Sequence, residues 1–532
     1  MQMHMHMHRH MQTLKDNMKM HHTFRPAPLS ALSWTSAMGS ALACTLAFCG
    51  AAVAQPSGAP QDALTVAVQK AITVNPEVTA RLNAFRAGAA ETDVVRGAWR
   101  PRVDADANVG WSRDGFDNRN PGSQNLSRSG VGVTVRQLLW DGYATRGEVS
   151  RLEHLRHARY FEFVDVTEQT ALEAARAWYD VLRFRRLVEL AEDNYVQHRL
   201  AHDQIESRVK AGVGRRVDLE QAAARLALAQ SNLGVEVANL HDVTARYQRV
   251  VGDTPPAGKE LGITLKEGIP ARLADTLAQA TTRNASIAAA VENLRAVSAQ
   301  AEGQSSSYKP RVEARARAAA GNNLGGLADQ RSEMTAEITL SWNLYNGGSD
   351  DARARQLASL MTQAADNRDR SCRDVRQTAA IAFNDTGKLQ DQIVHLERNM
   401  LAIARARDAY RQQFDIGQRS LLDLLNAENE VYTAKRSLAN AEVDLRVAYV
   451  RTQAAMNTLS SGLGLARLDA SIEPDADTSA AATTRCPVLD SAPTVMSLRE
   501  LDARAQALAA ARQTTAVSTG AAPAASPAAP RQ

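Results

Sequence analysis

Four histidines have the spacing that a metal site on a helix would need. His154 and His157 are three residues apart, and His198 and His202 are four apart, so each pair would lie on one face of a helix. Imidazole nitrogens are common ligands of Zn²⁺, but a protein site needs at least three ligands. Neither pair has a third candidate ligand near it in the sequence. We therefore interpret both pairs as solvated helix faces and predict no metal site and no cofactor.

The cysteine pattern does not indicate enzyme chemistry, and the common catalytic motifs are absent from the sequence. Cys44 and Cys49 lie in an apolar N-terminal stretch, and Cys372 and Cys486 are far apart, so no C-x-x-C motif occurs. A zinc or redox site has no support from this pattern. The sequence also lacks a P-loop, a G-x-S-x-G elbow, an H-E-x-x-H helix and a dinucleotide fingerprint. We predict that the protein is not an enzyme and has no catalytic residues.

The distribution of charge argues against a nucleic-acid partner. The chain of 532 residues has a net charge of +4, and residues 1–54 alone carry +3. The remainder is therefore almost neutral, whereas nucleic-acid-binding domains usually carry a marked basic patch. We expect no nucleic acid among the partners.

Residues 1–54 have the features of a secretory signal peptide. A basic segment that ends at Arg25 precedes an apolar run, and Ala52-Val53-Ala54 matches the small-x-small cleavage pattern. We predict cleavage after Ala54. The alternatives are an uncleaved membrane anchor and a lipoprotein site at Cys49, although the residue before Cys49 is larger than that processing needs. No later stretch has the roughly 18 apolar residues of a spanning helix, so a mature chain that crosses a membrane must use strands.

The chain contains an internal duplication. Segments of the first half recur 205 to 209 residues later, and a repeat of this size determines the architecture. The matched segments are Trp99–Val103 with Tyr308–Val312, Leu139–Gly142 with Leu344–Gly347, and Gly212–Leu219 with Gly417–Leu424. We predict a first structural repeat over 55–255, a linker over 256–270 and a second repeat over 271–465. A low-complexity, disordered tail over 466–532 would follow, with a short helix at 497–512.

Each repeat contains a long tract that is typical of extended helices. No proline occurs between Pro121 and Pro255 or between Pro310 and Pro474, whereas an average globular helix has only about 11–12 residues. The last helix shows a seven-residue period, which predicts a left-handed coiled coil. Its two rows are Leu424, Val431, Leu438 and Leu445, and Ala427, Ala434, Ala441, Ala448 and Ala455. In the first repeat the second row is interrupted by Glu236.

Four segments alternate apolar and polar residues with period two, as half-buried strands do. They predict strands at about 102–111, 130–140, 311–320 and 334–345, each long enough to cross a bilayer when tilted. Four strands in lipid would leave open edges with unpaired backbone groups, so several chains must assemble to close them. A conducting pore favours at least three chains, because eight strands leave an interior that side chains fill.

These features resemble the TolC-like family of outer-membrane efflux proteins. The resemblance rests on the duplicated helix-strand-strand-helix order, on Pro101 and Pro310 where helix gives way to strand, and on the tip sequence Phe414–Ala427. It implies a mainly α fold with a β-barrel. Three chains would form a homotrimer in which twelve strands make one barrel in outer-membrane lipid, while long antiparallel coiled-coil helices form a periplasmic tunnel. It also implies two partners, an inner-membrane ABC transporter or other pump and a periplasmic adaptor (membrane fusion) protein.

The resemblance also assigns roles to five residues near the hairpin tip. Asp423 matches the aspartate that lines the narrowest ring of the closed periplasmic entrance. Asn426 stands at a second acidic position, which would make this ring less negative. Arg419 and Asp218 match residues that help to hold neighbouring tip helices together. Phe414 stands at a tyrosine of that contact and cannot donate a hydroxyl hydrogen bond.

The function implied by the resemblance is passive transport through a tripartite export system. Segments 136–142 and 417–425 are most similar to the branch that serves type I secretion, including adhesin exporters. A multidrug or small-molecule efflux channel is an alternative, because a pore polar enough for proteins also passes small molecules. The alternative from another class is a soluble periplasmic coiled-coil adaptor.

Overall fold

The computed structural model describes residues 62–115, 117–118, 120, 122–258, 261–469, 486 and 496–519. The predicted signal peptide over 1–54 lies outside these residues. The described part of the chain is mainly helical, with four antiparallel strands. None of the described helices combines the length and the apolar character needed to span a bilayer.

The helices occur in the same order in both repeats. In the first repeat they are α1 (Ala63–Val74), α2 (Pro76–Arg96), α3 (Ala144–Lys210) and α4 (Arg216–Val251). In the second repeat they are α5 (Leu273–Arg283), α6 (Ala285–Gly303), α7 (Ser349–Asp415) and α8 (Leu421–Ala455). A short helix, α9 (Leu459–Gly462), follows α8, and α10 (Leu498–Thr519) lies in the tail. At 67 residues each, α3 and α7 are about 100 Å long.

The duplication extends to the local signals that start the helices. Asn75 and Asn284 precede α2 and α6, and each side chain accepts a hydrogen bond from the backbone N–H two residues later at 2.9 Å. Asparagine is among the best N-cap residues, because its side-chain oxygen satisfies an N–H that the helix leaves free. Equivalent residues therefore break the chain into the same two short helices in both repeats.

The long helices pack as antiparallel hairpins. Helix α3 packs against α4 and α8, and α7 packs against α8. On α8 the predicted alanine row, with Leu424 and Val431 of the other row, is buried, whereas Leu438 and Leu445 are half-buried. Alanine in the seam lets the helices approach closely, which suits a core with few aromatic residues.

The prediction that Glu236 interrupts the second row of α4 was wrong. Glu236 lies in that buried row together with Ala222, Ala229, Val243 and Val250. Its side chain is only 2% exposed, and its Oε1 lies 2.5 Å from Nη2 of Arg436 on α8. A buried carboxylate is tolerated when a cation pairs with it, so the seam continues through an ion pair between the repeats.

The four strands form one antiparallel sheet in the order β1-β2-β3-β4. The strands are β1 (Arg102–Gly115), β2 (Ser123–Trp140), β3 (Arg311–Asn322) and β4 (Ser332–Ser341). The hairpin of β1 and β2 is longer than predicted, because backbone pairing continues through polar residues such as Arg113 opposite Asn125. β4 ends before the predicted residue 345, because its partner β3 starts only after Pro310, so the ladder ends at the pair Arg311 and Ser341.

The two faces of the sheet differ in polarity. Val103, Val135, Ala316 and Ala336 are aligned across the four strands on one face. Apolar side chains on this face are largely exposed in the single chain, among them Val109, Trp111, Val131, Met334 and Ile338. On the opposite face Arg317 donates to both carboxylate oxygens of Asp106 at 2.8 and 2.9 Å. One side of the sheet therefore suits lipid and the other suits water.

Pro101 and Pro310 lie immediately before β1 and β3. In each repeat a short 3₁₀ helix, 97–99 or 304–308, separates the proline from the preceding α-helix. The residue before each proline, Arg100 or Lys309, is extended, with ψ of 153° or 151°. Proline disfavours the helical conformation at the preceding residue, so these two positions turn the chain from the helices into the sheet.

A disulfide between Cys372 and Cys486 attaches the tail to α7. Both cysteines are buried in an apolar cluster that includes Leu277, Ile287 and Met456. This bond was not predicted, because the two cysteines are 114 residues apart and form no recognisable motif. Disulfides persist in oxidising compartments such as the periplasm. The helix predicted at 497–512 is present as α10, and it continues to Thr519.

Candidate functional site

The tips of the two long hairpins are closed by the same turn. Gly212 follows α3 with φ of 77°, and Gly417 follows α7 with φ of 78°. In each turn the glycine N–H bonds to the carbonyl three residues earlier, and the next N–H bonds to the carbonyl five residues earlier, at 2.8–3.0 Å. This pattern is the Schellman motif, whose left-handed residue is usually glycine. The matched glycines of the duplication therefore build equivalent tips.

An apolar cluster holds the two tips together. Its members are Ile205, Ala222, Phe414, Leu421, Leu424 and Leu425. The guanidinium carbon of Arg208 on α3 lies 5.0 Å from the centroid of the Phe414 ring, within the range of a cation–π contact. Phe414, which lacks the hydroxyl of a tyrosine, thus joins α3 to α7 through apolar packing and this cation–π contact.

Asp423 and Arg419 lie together at the start of α8. The Asp423 carboxylate accepts a hydrogen bond from the Ser420 hydroxyl at 2.9 Å, and the same hydroxyl oxygen caps the Asp423 N–H at 3.2 Å. Arg419 Nη1 is 3.6 Å from Asp423 Oδ2, and the guanidinium carbon lies 4.2 Å from the centroid of the Tyr410 ring. The Asp423 side chain is 41% exposed, so its negative charge faces water.

Asn426 and Asp218 occupy different surroundings. Asn426 Oδ1 accepts a hydrogen bond of 2.8 Å from Arg225 on α4, which links the second repeat to the first. Asp218 lies half-buried in the first turn of α4. Among the described residues, the ion-pair partner of Arg419 is Asp423 and not Asp218. A single chain therefore brings Arg419 to Asp423 and Asn426 to Arg225, but it does not bring Asp218 to Arg419.

Glu428 is a tip residue that sequence reasoning missed. Its side chain is 7% exposed and accepts from Arg407 at 2.9 Å and from Arg411 at 2.5 Å, both on α7. Arg411 also donates to Gln197 Oε1 on α3 at 2.7 Å. Hydrogen bonds between charged groups are roughly twice as strong as neutral ones. This network ties three helices together just behind the tip, and the four-residue spacing of the two arginines was its only sequence signal.

His198 on α3 is buried next to this network. It is 3% exposed, and among the described residues its Nδ1 has no hydrogen-bond partner. Burial lowers the pKa of His198; the charge of Glu428 opposes that shift and the charge of Arg225 adds to it. The imidazole therefore stays neutral at a pH at which an exposed histidine takes up a proton.

Acidification is expected to loosen the tip through His198. An exposed imidazole titrates near pH 6.5, whereas the buried one has a lowered pKa. The contribution of the neutral, buried imidazole to the stability of the tip is thus complete above pH 6.5 and is lost as the pH falls below that value. Between pH 7.5 and pH 5.5 we expect backbone amides of the tip to exchange up to about tenfold faster after correction for the intrinsic rate. Hydrogen–deuterium exchange measures this change.

The variant His198→Asn is the control for this effect. Asparagine keeps a polar group in the same place but has no proton to gain in this pH range. An equal acid response in the variant would assign the loosening to other groups.

Known proteins resemble this chain along most of its length. The model of the family described as outer membrane efflux protein matches residues 67–240 and 276–458, one segment in each repeat. The outer membrane efflux protein BepC of Brucella suis is 26% identical over 411 residues, which cover 76% of this chain and 87% of BepC.

A second relative and a solved structure extend the comparison. The alkaline protease secretion protein AprF of Pseudomonas aeruginosa is 25% identical over 300 residues, which cover 54% of this chain and 61% of AprF. The solved structure of the CmeC outer membrane channel of Campylobacter jejuni superposes with a TM-score of 0.68 at 14% identity. The superposition covers 81% of this chain and 90% of the CmeC chain, and at this identity it shows a shared fold.

Proposed function

Because this chain belongs to the outer membrane efflux protein family, we propose that it forms a trimeric conduit through which a type I secretion system exports protein. At the coarser level the protein is an outer-membrane efflux channel of tripartite systems, and its family consists of conduits rather than enzymes. Three finer points are part of the proposal: the number of chains, the cargo, and the roles of the tip residues.

The observation that carries the proposal is the open sheet. β1 and β4 are its two edges, and one face bears exposed apolar side chains such as Val109 and Ile338. An unpaired strand edge in hydrocarbon costs several kcal/mol for each free backbone group. Joining β4 of one chain to β1 of the next removes every edge when the ring closes. Three copies supply twelve strands, enough for an open lumen lined by the charged face.

The relatives favour protein as the cargo of the conduit. AprF is named for the secretion of alkaline protease, and segments 136–142 and 417–425 are most similar to the branch that serves type I secretion. BepC is named only as an efflux protein, so a channel for small molecules is the second candidate. In either case the conduit takes substrate from an inner-membrane ABC transporter or other pump through a periplasmic adaptor protein. Energy comes from the pump, since the conduit itself performs no chemistry.

A deletion strain separates the two cargoes. Loss of the chromosomal gene should abolish the appearance of one or more proteins in the culture medium, and a plasmid copy should restore them. Drug susceptibility of the same strain is the second readout. Unchanged secreted proteins together with increased drug susceptibility would replace the secretion proposal with small-molecule efflux.

The tip would form the periplasmic entrance of the conduit. Asp423 is exposed at the start of α8, so three copies would place three carboxylates around one axis. Like charges at short range repel, and such a ring favours cations over anions. Asn426 at the second entrance position would make the ring less negative. Arg419 and Asp218, with Phe414 at the tyrosine position of their contact, would hold neighbouring tip helices together. An adaptor that binds the open arrangement more tightly than the closed one would shift the population toward opening.

The ring predicts the behaviour of an Asp423→Ala variant in planar bilayers. We expect a larger single-channel conductance and block by divalent cations that is about tenfold weaker, which corresponds to about 1.4 kcal/mol. The control is Asp242→Ala, since that aspartate is 80% exposed on α4 outside the tip. Conductance and cation block that match the unmodified protein would remove Asp423 from the entrance.

A further inference from the structure

Two histidines of the first repeat meet a buried glutamate of the second. His154 Nδ1 lies 2.8 Å from Oε2 of Glu292 on α6, and His157 Nδ1 lies 3.8 Å from the same oxygen. The sequence predicted a solvated face for the two histidines because no third ligand lay nearby. Glu292 supplies this third ligand, although it lies 138 residues after His154 in the chain.

Two of the distances between the donor atoms are close to those of a tetrahedral metal site. Bonds of about 2.0–2.2 Å from Zn²⁺ to nitrogen and oxygen place neighbouring ligand atoms about 3.4 Å apart. The two nitrogen–oxygen distances, 2.8 and 3.8 Å, lie on either side of that value. All three donor atoms lie within 4.8 Å of one another. Small rotations of the side chains would therefore bring them around one ion.

Glu292 is held in position from its other oxygen. Arg295 Nη1 donates to Glu292 Oε1 at 2.7 Å, which leaves Oε2 facing the two imidazoles. Metal-binding carboxylates are commonly oriented by such a second partner. The Glu292 side chain is 1% exposed, whereas His154 and His157 are 30% and 34% exposed. The acid is thus fixed in the protein interior, and the imidazoles form the side through which an ion and a water molecule reach it.

We propose that His154, His157 and Glu292 form a binding site for one divalent transition-metal ion, with Zn²⁺ as the best match. Two imidazoles and one carboxylate are a known zinc ligand set in which water occupies the fourth position. The absence of thiolate ligands argues against Cu⁺, and the presence of two imidazoles argues against Mg²⁺ and Ca²⁺. The ion would connect α3 of the first repeat to α6 of the second.

A second group of possible ligands, His202, Asp203 and Glu206, is a weaker candidate. These residues belong to one helix, and Asp203 is exposed. His202 and Arg199 already pair with the Asp203 carboxylate, and Lys210 pairs with Glu206. Such contacts are ordinary on a charged helix surface, so this group serves as the internal control.

Binding of Co²⁺ to the full chain in detergent tests the proposal. The protein is prepared without a polyhistidine tag, and the bound metal is counted by equilibrium dialysis and elemental analysis. Tetrahedral Co²⁺ also absorbs visible light far more strongly than octahedral Co²⁺, which reports the geometry. We expect His154→Gln and His157→Gln each to bind about one equivalent less per chain than the unmodified protein and to lose the tetrahedral absorption.

Two control variants make the result specific. His202→Gln removes a ligand of the second group, and His241→Gln removes a histidine that is 86% exposed on α4. Both variants are expected to retain the bound equivalent of Co²⁺ and its tetrahedral absorption. All samples are prepared from the same mature chain, so any histidine retained near the N-terminus is common to them. The proposal is overturned if His154→Gln and His157→Gln bind as much Co²⁺ as the unmodified protein, or if His202→Gln alone loses the equivalent.

Discussion

Replacing Glu428 by alanine is expected to make the hairpin tips open far more often. Glu428 is the common acceptor for Arg407 and Arg411. Arg407 is only 19% exposed, and a guanidinium cannot lose its proton. The variant would remove the acceptor of Arg407 Nη1 and leave Asp408, which pairs with Nε at 2.7 Å, as the remaining acidic partner of this guanidinium. A hydrogen bond to a charged group contributes about 1.5–3 kcal/mol, so local opening of α7 and α8 near the tip should become roughly 10- to 100-fold more frequent.

Hydrogen–deuterium exchange of residues 400–430 measures this opening directly. The same variant should also show a larger conductance in planar bilayers if tip opening controls the entrance. Glu430→Ala is the matched control, because Glu430 is an exposed glutamate two positions away on the same helix. Similar exchange in the Glu428 and Glu430 variants would show that the network does not stabilise the tip.

The Glu236–Arg436 pair is expected to respond very differently to the loss of each partner. Arg436→Ala leaves a carboxylate that is 2% exposed without its cation. Its only other polar contact among the described residues is a 3.4 Å hydrogen bond from Asn239. Loss of one partner from a buried pair destabilises by about 3–5 kcal/mol. Glu236→Ala should cost much less, because the Arg436 side chain is 44% exposed and its charge can turn to water.

Exchange in the middle of α4 and α8 distinguishes the two variants. Amides there should exchange roughly 10²- to 10³-fold faster in Arg436→Ala, with only a small change in Glu236→Ala. The double variant Glu236→Leu with Arg436→Ala should recover most of the protection, since apolar residues often replace a buried ion pair without loss. Equal effects of the two single variants would contradict the asymmetry.

The sequence predicted those parts of the fold that depend on local periodicity. The alanine row from Ala427 to Ala455 is buried, and the alternating apolar residues of the four strands share one face. Matched glycines build matched tips, since Gly212 and Gly417 adopt the same left-handed conformation. These predictions held because each depends on residues within a few turns of one another.

The features that the sequence did not predict involve residues far apart in the chain. Glu236 lay in a row that appeared interrupted, and only the position of Arg436 on α8 explains it. The same is true of the Cys372–Cys486 bond and of Glu292 beside His154. Periodicity gives the face of a helix but not the axial register between two helices, so none of these pairs could be derived from one helix alone. Strand ends were also missed, because hydrogen bonding continues beyond the apolar residues.

The tip combines contacts of both kinds. Asp423 and Arg419 are close in sequence and lie together, whereas Asp218 and Arg419 are in different repeats and do not meet in one chain. If Asp218 holds a neighbouring helix, its partner belongs to another copy. Variants of Asp218 are thus informative only in the assembled protein, while Glu428 acts within each chain.

Closure of the sheet between chains is most directly tested by crosslinking its two edges. Val103→Cys on β1 is combined with Cys in place of Ala336, Ile338 or Leu340 on β4. Within one chain these edges are separated by three strand spacings, about 14 Å, which is too far for a disulfide. For at least one of these cysteine pairs, we predict that oxidation yields crosslinked dimers and trimers and no larger product. Uncrosslinked chains for every pair, or a ladder that continues beyond three, would contradict a closed trimer.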